Sequence, residues 1–333
     1  MTEAEFLAAL RALPLHPGAR GLLDDTAHLD GLILTTDTIV EGIHYLPDDP
    51  PADVAWKLVA ANLSDLAAKG AVPEGVMLNY PLRAVPPAKA GVQLGDSTND
   101  AYSSVTIAFP TGPRPSPGRE TGWDEAFVSG LDIALRTFAV RLLGGDTVSL
   151  PVNAPRVIAL TAIGRAARAP LRAGAREGDA LYVTGTIGDA GAGLRIARGE
   201  SGPADLVDRY RRPTPRLAEG KALAPSAHAM MDVSDGLLID AARMADASGL
   251  GVTIDLAAIP LSAAYRAFAG DDRAARIAAA TAGDDYELLL AAPAGIPLAA
   301  RATPIGAFTA GTGLTLTDGG TPIPLPTTLG FQH

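Results

Sequence analysis

The chain has 333 residues, with 27 Lys+Arg against 37 Asp+Glu and a formal net charge of −10. Its length predicts two domains, and its acidic balance argues against gripping nucleic acid or an anionic membrane through overall charge. With Cys at 0, disulfides, thiolate zinc sites, iron–sulfur clusters and a cysteine nucleophile are excluded.

Residues 3–13 read as a short helix with Phe6, Leu7, Leu10 and Leu13 on one face. Glu3 and Glu5 interrupt this N-terminal stretch, so it does not read as a signal peptide. Residues 31–39 alternate like a strand. Asp53 is placed to cap a helix that runs to Lys69 and stops at Gly70, with Trp56, Val59, Leu63 and Leu66 as its apolar stripe. A strand is expected over 75–80. Residues 83–122 are rich in Pro, Gly, Ser and Thr, with only a candidate strand at 104–109; a loop this long is uncommon in a compact domain. A helix over 123–140 and a short strand over 141–143 lead into Gly144-Gly145-Asp146-Thr147. Residues 156–163 form another apolar strand.

The Ala-, Arg-, Gly- and Pro-rich segment 164–178 is the candidate domain boundary. It divides the chain into 1–165 and 166–333, with 83–122 open to three readings: a disordered insertion, a lid, or a poorly read part of the fold. Beyond it, 180–184, 252–256 and 286–291 read as strands, and 189–197 and 236–247 as helices. Strands alternating with helices predict an α/β architecture in layers. The apolar stretch from Leu288 to Ala300 is too short to span a bilayer and is broken by Pro293, Gly295 and Pro297. A soluble, cytoplasmic protein is expected.

No G-x-x-x-x-G-K-[ST] and no H-E-x-x-H occurs. The glycine-rich run from Gly185 to Gly193 follows a strand and opens a helix. It suits either a backbone cradle for phosphate or a plain tight turn. Carboxylates are the stronger signal. They recur beside Gly, Ser or Thr at element ends: Asp24-Asp25, Thr35-Thr36-Asp37-Thr38, Ser64-Asp65, Gly145-Asp146-Thr147, Asp232-Val233-Ser234-Asp235-Gly236 and Gly283-Asp284-Asp285-Tyr286-Glu287. Any single one suits a turn or cap; six are less readily six caps. Asp65 lies in an otherwise apolar helix, and Leu58, Asn62, Asp65 and Lys69 share one face. It is either a metal ligand or an i,i+4 surface partner of Lys69. Oxygen ligands of this kind select Mg²⁺, Mn²⁺ or Ca²⁺. Several Mg²⁺ ions on an acidic protein imply a polyphosphate substrate, hence phosphoryl transfer from a nucleotide without a P-loop.

The set T-T-D-T-I-V-E-G-I-H-Y (35–45), N-L-S-D-L-A-A-K-G-A (62–71), G-G-D-T (144–147), V-T-G-T-I-G-D-A (183–190), R-R-P-T-P-R (211–216), D-V-S-D-G-L (232–237) and G-D-D-Y-E-L (283–288) resembles, in content and order, the thiamine-monophosphate kinase family. That family belongs to the superfamily of aminoimidazole ribonucleotide synthetase. The resemblance implies a two-domain α/β fold, with an N-terminal mixed sheet that pairs across a homodimer. It implies that ATP and thiamine monophosphate give thiamine diphosphate and ADP. It further implies Mg²⁺ on Asp25, Thr35, Thr36, Asp37, Asp65, Asp146, Asp232 and Asp235, with ATP at Gly145, Asp146, Arg165 and Ser234. His44 and Asp284 would contact the thiamine substrate, and no side chain would act as a catalytic acid or base.

Arg165 equally suits a solvated linker arginine, and His44 a partly buried histidine bonded to backbone. The family commonly carries G-I-G-D-D-A near its start, where this chain has Gly21-Leu22-Leu23-Asp24-Asp25-Thr26. It also carries an aromatic residue near the C-terminus against the thiamine ring, where this chain offers Phe331. A purine-pathway synthetase of the same superfamily and a non-catalytic nucleotide-binding regulator are the rival readings.

Overall fold

A computed structural model describes residues 3–83, 121–151 and 153–332. Nearly all of segment 83–122, including its candidate strand, lies outside the described residues. The first unit opens with α1 (Glu3–Arg11) and a 3-10 turn at Pro17–Leu22. There follow β1 (Ala27–Leu29), β2 (Leu32–Val40), α2 (Pro51–Ala68), β3 (Val72–Arg83), α3 (Thr121–Thr137), β4 (Leu142–Leu150) and β5 (Val157–Arg165). Its five strands form one mixed sheet in the order β1-β2-β5-β3-β4. β2 and β3 both run antiparallel to β5, whereas β3 and β4 are parallel.

The second unit contains β6 (Asp179–Val183), α4 (Asp189–Ala197), α5 (Ala204–Arg211), α6 (Leu217–Leu223), β7 (Ala229–Val233) and α7 (Leu237–Ser248). It continues through β8 (Gly251–Asp255), α8 (Ala263–Ala269), α9 (Arg273–Ala280), β9 (Glu287–Pro293), β10 (Thr303–Thr309), β11 (Gly313–Asp318) and β12 (Thr321–Ile323). The seven strands form a second mixed sheet, in the order β12-β11-β8-β10-β6-β9-β7. The main helices and strands stand close to where periodicity places them. The sequence reading did not pick out β1, α5, α6, β7, α8, α9 or the three C-terminal strands. β7 is five residues long and wholly buried, so it shows no alternation.

α2 is the hinge between the two cores. Its 18 residues start at Pro51, so Asp53 lies in the first turn instead of capping it. Leu58, Val59, Leu63 and Leu66 pack against Val76, Ile158, Leu160 and Ala162 of the first sheet. Ala67 and Ala68, at the other end, pack with Leu223 of α6 and with Met230, Leu288 and Leu290 of the second sheet. A Cβ on Gly220 of α6 would sit 2.0 Å from the Ala67 carbonyl oxygen, so the two helices approach at a distance only glycine allows. Each large apolar side chain buried here stabilises the fold by about 1.5–3 kcal/mol.

The R-R-P-T-P-R segment clasps the same helix to the second sheet. Arg211 pairs with Asp49 (2.8 Å) and Arg212 with Asp53, while the Trp56 Nε1 donates to the Pro213 carbonyl (2.8 Å). Arg216 forks onto Glu287 at the start of β9. These bonds tie the start of α2 to the start of β9.

Candidate active site

The cleft between the two units has a volume of about 1350 Å³. It collects most of the carboxylate motifs. β2 supplies one wall. Strand alternation turns Thr35 and Asp37 toward α2 and Thr36 to the other face. Thr35 donates its hydroxyl to Asp65 of α2. Asn62, fully buried one turn earlier, accepts the Asp37 N–H (3.1 Å) and donates to the Leu58 carbonyl (2.9 Å). Asn62 therefore sets the register of strand against helix, and with it the placement of Asp37 beside Asp65. Thr36 donates to the Leu160 carbonyl (3.2 Å) and accepts from Thr161 (3.2 Å).

The opposite wall is the C-terminal end of β7. Asp232 closes that strand's buried run, and Asp240 from α7 accepts the N–H groups of Ser234, Asp235 and Gly236 (3.1, 3.1 and 3.2 Å). Burial and the charge of Asp235 push Asp240 up to about 7. Asp240 thus shapes the 234–236 turn from within. Arg243 pairs with both Asp235 and Asp240.

Two classes of carboxylate separate here. Asp25 is strongly countered: burial alone would raise it, but Lys69 and Arg172 hold it down to about 2. Lys69 is fully buried and also binds Asp24 (2.7 Å), so it is not the surface partner of Asp65 that i,i+4 spacing allowed. Asp37, Asp65 and Asp232 are the second class. Desolvation and neighbouring aspartates push Asp37 up to about 6 and Asp232 up to about 8, and raise Asp65 well above the usual range. Among the described residues none of the three pairs with a lysine or arginine.

Carboxylates brought together in this way and left uncompensated suit a dication. Their oxygen-only donor set, with Thr35 alongside, fits Mg²⁺. Among the described residues no three carboxylate or imidazole side chains converge into a closed chelate. Such a site would leave coordination positions to phosphate oxygens.

His44 and Asp284 face the same cleft. The His44 Nδ1 accepts the Val40 N–H (3.0 Å), which leaves the ring proton on Nε2 as a donor. Lys57 of α2 reaches both residues, donating to the His44 carbonyl (2.9 Å) and to the Asp284 carboxylate (2.7 Å). Ser234 and Phe331 also line the cleft, and the Phe331 N–H donates to the Asp235 carbonyl (2.8 Å).

Three expected site residues stand elsewhere. Gly145 and Asp146 lie within β4, not in a loop following it. Asp37 is registered on Leu160, Leu160 on Leu78, and Leu78 on Gly145, three strand spacings or about 14 Å across the sheet. Gly145 has its own packing reason, since a Cβ there would meet the Leu78 carbonyl oxygen at 1.8 Å. Arg165 ends β5 and pairs with Glu74 (2.6 Å) at the surface. The glycine-rich run opening α4 is a turn and not a phosphate cradle. Its Gly188 and Ala190 N–H groups already donate to the Asp285 carboxylate (2.7 and 3.2 Å).

Sequence reasoning did not single out Lys57, Asp240, Arg243 or Thr161. For Lys57 a signal existed: like Asp65, it is a charge inside an apolar helix.

The AIR synthase related protein N-terminal domain model matches residues 23–112 and 97–166, and the C-terminal domain model matches 176–319. Thiamine-monophosphate kinase of Salmonella typhimurium is 36% identical over 284 aligned positions, covering 82% of this chain and 76% of that protein. The Caulobacter vibrioides thiamine-monophosphate kinase is 35% identical over 359 aligned positions, covering 100% of this chain and 91% of the relative. The structure described as AaThiL complexed with AMPPCP and TMP superposes with a TM-score of 0.77 at 26% identity, covering 100% of this chain and 97% of that one. Two family models spanning both units, and relatives alike over most of their length, establish that the chain belongs to the AIR synthase related proteins and, among them, to the thiamine-monophosphate kinases.

Proposed function

We propose that the chain transfers the γ-phosphoryl group of ATP to the phosphate of thiamine monophosphate, giving thiamine diphosphate and ADP. The observation that carries this reading is the group Asp37, Asp65 and Asp232, gathered in one cleft without a basic partner, in a chain of this family. The acceptor is itself a phosphate, with a second pKa near ~6, and is mostly dianionic at neutral pH. No general base is needed, so no side chain is assigned as one. The obstacle is bringing two polyanions into line.

Asp25, Thr35, Thr36, Asp37, Asp65, Asp232 and Asp235, which line the cleft, would hold several Mg²⁺ ions, which supply charge neutralisation and an in-line clamp on the phosphates. Arg172 and Arg243 hold Asp25 and Asp235 in fixed orientations. Ser234 would contact ATP from the β7 wall, whereas Gly145, Asp146 and Arg165 stand outside this cleft and are not assigned to it. His44 offers its Nε2 proton to the acceptor, and Asp284 offers a carboxylate to the thiazolium cation. Phe331, which lines the cleft, would cover the thiamine ring.

In this reading residues 1–165 bind ATP and Mg²⁺ and carry the dimer contact, and 166–333 form the C-terminal α/β domain. A homodimer is supported by the apolar side chains that the first sheet exposes, among them Met77, Val148 and Val157. Such side chains favour cover by a second copy. No helix among the described residues is long and apolar enough to cross a membrane, and a cytoplasmic site of action is part of the proposal.

The test is incubation with ATP, Mg²⁺ and thiamine monophosphate, following ADP release and identifying the second product by mass. Thiamine diphosphate is expected. ATP binding by a folded protein that forms no diphosphate would refute the assignment.

A further inference from the structure

Lys57 is a buried cation that the transfer chemistry above does not use. Its side chain is 3% exposed, in the first half of α2. Its Nζ donates to the Asp284 carboxylate Oδ2 (2.7 Å) and to the His44 carbonyl (2.9 Å), and lies 4.2 Å from the centre of the Tyr210 ring. An ammonium has three donors. Two are spent on hydrogen bonds, and the ring face meets the charge from another side. Tyr210 is itself fixed, its hydroxyl donating to Asp49 (2.8 Å).

The two residues joined by Lys57 are far apart in sequence and come from different units. Each is also tied to the cleft by its own backbone or ring. Asp284 has a φ of 69°, in the left-handed region that non-glycine residues seldom adopt. Its N–H donates to the Ser234 carbonyl (2.7 Å), and its Oδ1 accepts from the Tyr286 hydroxyl (3.3 Å). The strained backbone and the lysine together aim one carboxylate at the cleft. The turn that carries His44 is drawn to the same ammonium.

α2 holds a second buried lysine, Lys69, at its far end, where it binds Asp24 and Asp25. The two lysines are twelve residues apart, about 18 Å along the helix. Between them lie the carboxylates without basic partners. The helix thus ties one buried lysine to Asp284 and the other to Asp24 and Asp25, all of which line the cleft, and leaves Asp65 between them without a basic partner among the described residues.

We propose that Lys57 is a positioning residue for the acceptor: it sets His44 and Asp284 for thiamine monophosphate without touching the phosphates that react. This rests on the kinase reading given above. The experiment is steady-state kinetics on wild type, K57M, D284N and K57M/D284N, with KM measured separately for thiamine monophosphate and ATP, and melting temperature for each.

In K57M, KM for thiamine monophosphate should rise on the order of tenfold or more. KM for ATP should stay within about twofold of wild type, a margin too small to reflect loss of a hydrogen bond. The double variant should fall well short of the product of the two single effects, because Lys57 acts in part through that carboxylate and only its hold on His44 is left to lose. An unmoved KM for thiamine monophosphate in folded K57M overturns the proposal. A parallel rise of both KM values also overturns it, since that marks general loosening of the cleft, as does additivity of the two substitutions. Should K57M fail to fold, K57Q, which keeps a neutral donor, is judged by the same criteria. Failure of both variants to fold assigns Lys57 to stability alone and overturns the proposal. Normal turnover by wild type with unmoved variants refutes this proposal only, whereas absence of wild-type turnover refutes the kinase reading beneath it.

Discussion

Replacing Asp37 with asparagine should make the metal-free protein more stable while weakening its response to Mg²⁺. The folded chain titrates Asp37 at about 6 against an ordinary 3.8, through burial and the charges of Asp25 and Asp235. Between those two pH values the folded state holds more protons than the unfolded state. Stability therefore falls as pH rises through the window, and the penalty is complete above about pH 6. At 1.36 kcal/mol per pKa unit the difference is at most about 3 kcal/mol. Asp37 is only partly buried, and its neighbours titrate with it, so about 1–3 kcal/mol is the working range.

D37N removes the titrating group, retains the shape, and leaves the main-chain bond to Asn62 in place. In calorimetry or dye-monitored melting at pH 7.5 with chelator, Tm should rise by about 1–4 °C. Below pH 3.8 the two proteins should melt together. Added Mg²⁺ should raise wild-type Tm by mass action on the native state, and raise D37N less. A D37N protein that melts at or below wild type in chelator at pH 7.5 would refute the reasoning. Asp37 would then have a cationic partner, and the cleft would lack the uncompensated charge attributed to it.

Other consequences follow from the same geometry. N62L deletes two hydrogen bonds, including the acceptor for the buried Asp37 N–H, and should cost about 2–4 kcal/mol in chemical denaturation. An unchanged midpoint would show that Asn62 does not set the β2 register. D285N should lower Tm while leaving KM for ATP unchanged, because its carboxylate and not a phosphate occupies the α4 N–H groups; a changed KM for ATP with an unaltered Tm would restore the phosphate cradle. V157E places a charge on the exposed face of the first sheet and should shift sedimentation equilibrium from dimer to monomer; a monomeric wild type would remove the basis for the dimer. D65N should keep the fold and lose most turnover, by a factor on the order of a hundred or more. Near-normal turnover would exclude Asp65 as a metal ligand.

Much of the fold was legible because its long elements are strongly patterned. α2 shows an apolar stripe ended by a glycine, and β2 alternates cleanly. Asp65 was legible for the complementary reason, as a carboxylate where the helix pattern demands an apolar residue. What stayed hidden depends on partners distant in sequence. The i,i+4 spacing of Asp65 and Lys69 suggested a pair. Lys69, however, stands at the helix C-cap, where its side chain reaches Asp24 and Asp25 across the following turn. The glycine run at 185–193 follows a strand and opens a helix, a pattern that suits an anion cradle and a tight turn alike. The carboxylate that fills it, Asp285, arrives 97 residues after Gly188. Gly145 and Asp146 read as a loop because their strand has no buried face to impose alternation, each residue from Leu142 to Ser149 being exposed. Lys57 carried the same signal as Asp65, and its bond to Asp284 spans 227 residues, a separation no local pattern encodes.

The central claim is that the uncompensated carboxylates of this cleft serve dication-dependent phosphoryl transfer to thiamine monophosphate. Its most direct test is the rate of thiamine diphosphate formation, quantified by mass, as Mg²⁺ is raised at fixed ATP. The account predicts no product in chelator, and a rate that continues to rise after ATP itself is saturated with Mg²⁺, as further ions occupy the aspartates. An undiminished rate in chelator, or a plateau as soon as ATP is saturated, would contradict it.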